Sequence, residues 1–268
     1  MGPSTQRDES HEEVDYIPLA VDPAHVDDAN SKAGPEPESD EVVLVNPRGE
    51  SMTDTVGFAV AYVFGFTFIM CTWVILFTNH PFTLGWFFWH PFLLSVAVVA
   101  HTYGILTLQP TSHAQPSVKA AGRSRHQLYM FALGFPAAAL GIVAVSYNKY
   151  LHHAAHFATW HGRFGIATLT WMLVQIAVGG GSVWANGKLF GGNPRARRVW
   201  KYHRLSGYVL FVLLLVTAHL GGTWSDFAQN NVVPIVRLLA YTIAPILLLG
   251  GVFARVRLSK MRFFNRFA

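Results

Sequence analysis

Residues 160–184 read WHGRFGIATLTWMLVQIAVGGGSVW, 25 residues with no carboxylate and a single basic side chain, Arg163. At about 1.5 Å per helical residue such a run crosses the hydrocarbon core of a bilayer. Its second residue is His161, and an ionisable side chain inside a membrane is expensive and usually functional. Five more segments of the same character surround it: 55–78, 84–108, 127–147, 203–222 and 232–254. None holds Asp or Glu. The predicted fold is an all-α integral membrane protein, six transmembrane helices joined by short loops as an antiparallel bundle. Pro234, Arg237 and Pro245 predict a bend in the last span.

Charge is segregated along the chain. Of the 15 carboxylates, 14 precede Thr55, against three bases there, Arg7, Lys32 and Arg48. Residues 1–54 are too acidic and too poor in apolar groups to build a core, so they are expected to be a disordered tail. No basic, apolar and small-residue succession marks a cleaved signal peptide at the N-terminus. The bases that follow lie in loops between apolar spans, which points to a membrane and away from nucleic acid. They gather after the second span (Lys119, Arg123, Arg125), after the fourth (Lys188, Arg195, Arg197, Arg198, Lys201) and in the basic tail, 256–268. Lysine and arginine bias therefore predicts cytosolic termini for a multi-pass membrane protein. Cys71 is the only cysteine, which excludes an intrachain disulfide and an iron–sulfur cluster.

Four histidines sit at or just inside the ends of four consecutive spans: His90, His126, His161 and His203. With alternating helix direction, His90 and His161 share the outer leaflet, and His126 and His203 the inner one. Each pair bridges two helices at one depth, as the axial ligands of a six-coordinate haem iron must. The expected cofactors are two haems b within a four-helix core. Both axial positions would be filled, so the iron would carry electrons rather than bind oxygen. The absence of carboxylates from the spans argues against a proton relay.

Neighbouring residues fit a porphyrin. Gly165 and Gly207 each follow a histidine by four residues, on the same helix face. Gly179 lies 18 residues after His161 and Gly104 lies 14 after His90, near the faces of those ligands, where they could open room for the inner haem. Arg125 and Arg204 at the inner end, and Lys149 and Arg163 at the outer end, are candidate partners for anionic propionates. His101 is expected to be a buried hydrogen-bonding residue near the inner haem, with ligation opposite Met172 as the other reading. His219 points away from the face of His203 and is discounted as a ligand.

The segments FWHPFLLS at 88–95, RSRHQL at 123–128, AHFATWHGRFG at 155–165 and KYHRLSGY at 201–208 resemble the cytochrome b561 family of transmembrane reductases. The pattern W-H-G-R-x-G in the fourth span is closest to its short members, the b561 domain-containing proteins 1 and 2. The resemblance implies electron transfer from cytosolic ascorbate to monodehydroascorbate or ferric chelates on the opposite face, in an endomembrane or vesicle membrane. It implies a donor site at Lys119, Arg123 and Arg125, an outer substrate site at His156, and leaves a homodimer open. His152, His153 and His156 form an outer cluster that a metal acceptor could use. A haem-binding membrane anchor and a haem or metal transporter are the competing functions. Transporters break their helices at mid-membrane depth, whereas these histidines lie near the faces.

Overall fold

The computed structural model describes residues 51–108 and 116–257. The expectations for residues 1–50 and for the basic tail from 258 on lie outside the described residues. Among the described residues six helices are long and apolar enough to span a membrane: α1 Met52–Thr78, α2 Trp86–Leu106, α3 Ser117–Leu151, α4 Trp160–Gly181, α5 Arg197–Trp224 and α6 Pro234–Ala254. The chain is a multi-pass membrane protein, with large apolar side chains such as Phe66, Val143, Val174 and Ile246 exposed on its outside. Every backbone polar group must find a partner in hydrocarbon, and continuous helices supply it locally.

The helices are longer than the apolar runs where they meet the basic loops. α3 begins ten residues ahead of its expected start, through a polar helical stretch, Pro116–Gln127, carrying Lys119, Arg123 and Arg125. α5 is extended the same way from Arg197. Hydropathy marks the hydrocarbon boundary, but backbone hydrogen bonding continues beyond it. His126 therefore sits about two and a half turns inside its helix and His203 about one and two-thirds turns, while His90 and His161 lie within about one turn of a helix start.

α1 starts at Met52, ahead of the expected boundary at Thr55. Ser51 and Asp54 form a reciprocal capping box, the Asp54 carboxylate accepting from the Ser51 backbone N–H at 2.9 Å. Asp54 is fully buried, because Arg257 bonds its carboxylate and Arg255 its backbone carbonyl. That clamp joins the first and last spans, which also pack backbone to backbone: a Cβ on Gly57 would lie 2.8 Å from the Gly251 carbonyl.

Two helices contain π-helical turns, Leu128–Gly134 in α3 and Leu239–Ile243 in α6. Each is followed within two residues by a proline, Pro136 or Pro245. Proline has no N–H for the carbonyl four residues back. For Pro245 that carbonyl is Tyr241, and His219 Nδ1 on α5 takes it at 3.0 Å. In the last span, where a bend is expected, the structure has this π-helical turn before Pro245, and the freed Tyr241 carbonyl accounts for His219 without a cofactor.

α2 packs on α3, and α4 on α5, while contact between these two pairs is sparse. The α2–α3 seam uses small residues, Ala97, Ala137, Ala138 and Gly141 among them. The α4–α5 seam is polar: Thr168 Oγ1 meets Thr217 Oγ1 at 3.1 Å, and the Gln175 amide meets Ser206. Small residues and interhelical hydrogen bonds are what hold membrane helices together when no hydrophobic driving force separates protein from lipid.

Candidate functional site

The seam between the α2–α3 and α4–α5 pairs is where the four histidines meet. The rings of His90 and His161 face each other with centres 5.8 Å apart, and those of His126 and His203 with centres 6.3 Å apart. Two metal–nitrogen bonds of about 2 Å, plus about 1 Å from each nitrogen to its ring centre, add to about 6 Å. The spacing suits one iron between each pair. The ring planes cross at 80° and 90°. His90 lies 14 residues before Gly104, whose carbonyl marks the level of His126, so the pairs are separated by about 21 Å along α2.

Each ring is anchored on the sister helix of its own pair. His90 Nδ1 lies 3.0 Å from the Gly141 carbonyl of α3, and His126 Nδ1 lies 3.0 Å from the Gly104 carbonyl of α2. His161 Nδ1 lies 2.9 Å from the Thr217 carbonyl of α5. A carbonyl only accepts, so Nδ1 carries the proton in all three and Nε2 keeps a lone pair. His203 lacks a backbone anchor; its Nδ1 faces the side-chain amide of Gln175 at 2.6 Å.

The glycines divide into two kinds. A Cβ on Gly179 or Gly221 would lie 2.7 Å from the ring of His203 or His161 respectively. These bare positions seat the histidines themselves. Gly165 and Gly207 instead open on space: the nearest atom to a Cβ would be 3.9 Å away at Gly165, and none lies within 4 Å at Gly207. Gly104 does not open room for a porphyrin as expected, since Met130 would meet its Cβ at 3.1 Å; its carbonyl holds His126 instead. The indole N–H of Trp200, one turn before His203, is buried without a partner among the described residues.

His101 is buried, bonds the Ala97 carbonyl of its own helix at 2.7 Å, and rests on Gly134 of the π-helical turn. Met172 is buried in the core. Lys119, Arg123 and Arg125 are exposed on the early turns of α3, at the end of the bundle that carries His126 and His203. His152, His153 and His156 are exposed at the other end. Among the described residues no three metal-ligating side chains are brought together. Their loop contains two residues in left-handed backbone conformation, His153 (φ 50°) and Phe157 (φ 54°). Lys149 bonds the Ala155 carbonyl at 2.7 Å and Arg163 the Phe157 carbonyl at 3.2 Å. Both cations expected to meet propionates at the outer end are thus engaged in pinning this loop.

Sequence reading missed Gly141, Gly221 and Gln175. All three carried a signal. Gly221 follows His203 by 18 residues, as Gly179 follows His161, and Gly141 follows His126 by 15. Gln175 follows His161 by 14, the offset of Gly104 from His90.

The family model described as Eukaryotic cytochrome b561 matches residues 89–229, just over half of the chain. Transmembrane reductase CYB561D2 of Bos taurus is 34% identical over 128 residues, 47% of this chain and 56% of the relative. The chain thus spans little more than half the length of that relative. The matched family segment contains all four histidines, and it begins one residue before the first of them.

Proposed function

The chain belongs to the eukaryotic cytochrome b561 family, and we propose that it is a dihaem transmembrane oxidoreductase that moves electrons from cytosolic ascorbate to monodehydroascorbate or a ferric chelate on the opposite face. Family membership implies haem b. The carrying observation is the two pairs of facing imidazoles, 5.8 and 6.3 Å between ring centres, across a seam where the helices otherwise barely touch. His90 and His161 would hold one haem, His126 and His203 the other. The residues fit the group: open space at Gly165 and Gly207, and the buried, unpartnered Trp200 N–H beside His203 as a donor for a propionate.

Haem held by these histidines would supply a one-electron carrier. The protein contributes the rest. Backbone carbonyls hold three Nδ1 protons so that Nε2 points its lone pair across the seam, and the lipid-facing apolar surfaces exclude water. The basic end, with Lys119, Arg123 and Arg125 exposed, lies in the cytosol by the positive-inside rule and attracts an anionic donor. His156, in the pinned loop at the other end, faces the acceptor. The family's short members suggest an endomembrane or vesicle membrane. Neither π-helical turn breaks its span, so the helices lack the unwound midpoints of transporters.

Pyridine haemochrome quantification on the purified chain tests this reading. Two haems b per chain are expected, falling by about half in His90→Ala, His126→Ala, His161→Ala and His203→Ala alike. Retention of two haems in any of these variants, or one haem in the parent protein, overturns the assignment.

A further inference from the structure

The bundle has an internal correspondence. α2 and α3 exchange histidine-to-carbonyl bonds: His90 with Gly141, His126 with Gly104. α4 and α5 repeat the arrangement once, His161 with Thr217. The receiving positions follow the histidine of their own helix by 14 residues at Gly104 and Thr217 and by 15 at Gly141. The fourth such position, 14 residues after His161, is Gln175. There a side-chain amide stands where the other three sites use a backbone carbonyl.

This exchange matters because a carbonyl can only accept, while an amide head can present either end. Gln175 is buried, at 8% exposure. One head atom lies 2.6 Å from His203 Nδ1 and 3.3 Å from the His203 carbonyl oxygen. The other touches Ser206 Oγ and lies 2.9 Å from the Gly207 nitrogen. With nitrogen toward His203, the amide serves all four neighbours, but Nδ1 must then accept and the ring proton moves to Nε2. With oxygen toward His203, Nδ1 donates, and Nε2 is free to ligate as in the other three histidines. The second orientation sets the amide oxygen beside the His203 carbonyl and the amide nitrogen beside the Gly207 N–H, so ligation works against the local preference of this amide.

We infer that Gln175 is the positioning residue of the fourth ligand: by presenting its oxygen to His203 Nδ1 it selects the ligating tautomer and sets the electron affinity of the iron held by His126 and His203. The inference rests on the reading of His203 as an axial ligand. A hydrogen bond accepted from Nδ1–H raises the basicity of the ligating nitrogen. A more basic ligand favours the ferric state, so the strength of this one bond tunes one haem and leaves the other alone. A backbone carbonyl cannot be varied by substitution, whereas Gln175 can.

The test is a redox titration of the full chain in lipid nanodiscs, followed optically, with haem content measured on the same samples. Gln175→Leu removes the acceptor at similar volume, and Gln175→Glu keeps the shape with a stronger one. The haem lost in His203→Ala is expected to become easier to reduce in Gln175→Leu, by about tenfold in its reduction equilibrium, or about 59 mV for one electron. The same haem should become harder to reduce in Gln175→Glu, with the other potential unmoved in both. Loss of that haem from Gln175→Leu but not from Gln175→Glu also supports the inference. Shifts of the same sign in both variants, equal shifts of both haems, unchanged potentials, or loss of haem from both variants overturn it. Failure of the underlying reading is separately visible, as two haems retained in His203→Ala.

Discussion

An imidazole can ligate only through a nitrogen that has given up its proton, so the atoms that hold the other nitrogen matter as much as the ligand. Here that support is mostly backbone, which explains why glycine recurs beside the histidines. Adding a methyl-bearing side chain at Gly179 or Gly221 would put a carbon 2.7 Å from the His203 or His161 ring. Overpacking of this kind costs about 1–3 kcal/mol, and the flexible party is the ring. Gly179→Val is expected to lose the haem of the His126–His203 pair, and Gly221→Val that of the His90–His161 pair, measured as half the haem content with the helices intact by circular dichroism. Gly207 makes a sharper probe, because nothing lies within 4 Å of its Cβ position. Gly207→Leu should therefore leave folding unaffected yet exclude the neighbouring haem; full haem content in that variant would mean that the space serves something else. The ring planes give a further expectation. Planes crossing at 80° and 90° would leave the dπ orbitals of an iron held between them close in energy, so both ferric centres should show strongly anisotropic low-spin electron paramagnetic resonance signals, and a rhombic spectrum would contradict the crossed geometry. At this scale the candidate ligands were legible from position alone, since a histidine near the end of an apolar span has few other reasons to be there. Their anchors were less so. Hydrogen bonds to backbone carbonyls leave no residue type behind, and only the bare glycines and Gln175 mark them.

The elements were legible wherever hydropathy decides, and misjudged wherever the backbone outruns it. α3 and α5 continue through Lys119 to Arg125 and from Arg197 because helical hydrogen bonding pays no attention to the hydrocarbon boundary and these residues are good helix formers. The opposite error occurred at Asp54, whose acidic character assigned it to the tail. It is instead the buried hinge point between α1 and α6, capping one helix and receiving two arginines from beyond the other. Asp54→Ala removes the N-terminal capping box and the bond to Arg257, though the Arg255 bond to the Asp54 carbonyl survives. The loss should be about 1–3 kcal/mol, read as a lower thermal midpoint in detergent with haem content unchanged at low temperature, since neither α1 nor α6 carries a proposed ligand. By the same reasoning removal of residues 1–49 should leave haem binding and electron transfer unaltered, while removal through Asp54 should reproduce the destabilisation of Asp54→Ala. Loss of ascorbate reduction in the shorter deletion would give the acidic segment a part in the reaction.

Across the whole molecule the two histidine pairs, separated by about 21 Å along α2, are coupled to surfaces of different character. The end beyond His126 and His203 presents Lys119, Arg123, Arg125, Arg197 and Arg198, all exposed. The end beyond His90 and His161 presents a loop with three exposed imidazoles, its cations Lys149 and Arg163 occupied in holding the chain. On the proposed function an anionic donor would be drawn to the first end, and attraction between exposed charges weakens as the Debye length falls from about 10 Å at 0.1 M salt toward about 3 Å at 1 M. Replacing Lys119, Arg123 and Arg125 together with glutamine should slow reduction by ascorbate several-fold at low salt while leaving the absorption spectra intact. The difference from the parent protein should shrink as salt rises, because screening removes from the parent what the variant already lacks. His156→Ala should behave in the opposite way, leaving reduction by ascorbate unchanged and slowing re-oxidation by a ferric chelate at the far face. Oriented proteoliposomes with ascorbate on one side and the chelate on the other separate the two half-reactions. Should the triple variant be slow only in re-oxidation, or the His156 variant only in reduction, then the donor and acceptor ends are reversed. If instead both variants slow both steps equally, the substitutions act on the haems through the helices, and electrostatic capture at the basic end is not what draws the donor in.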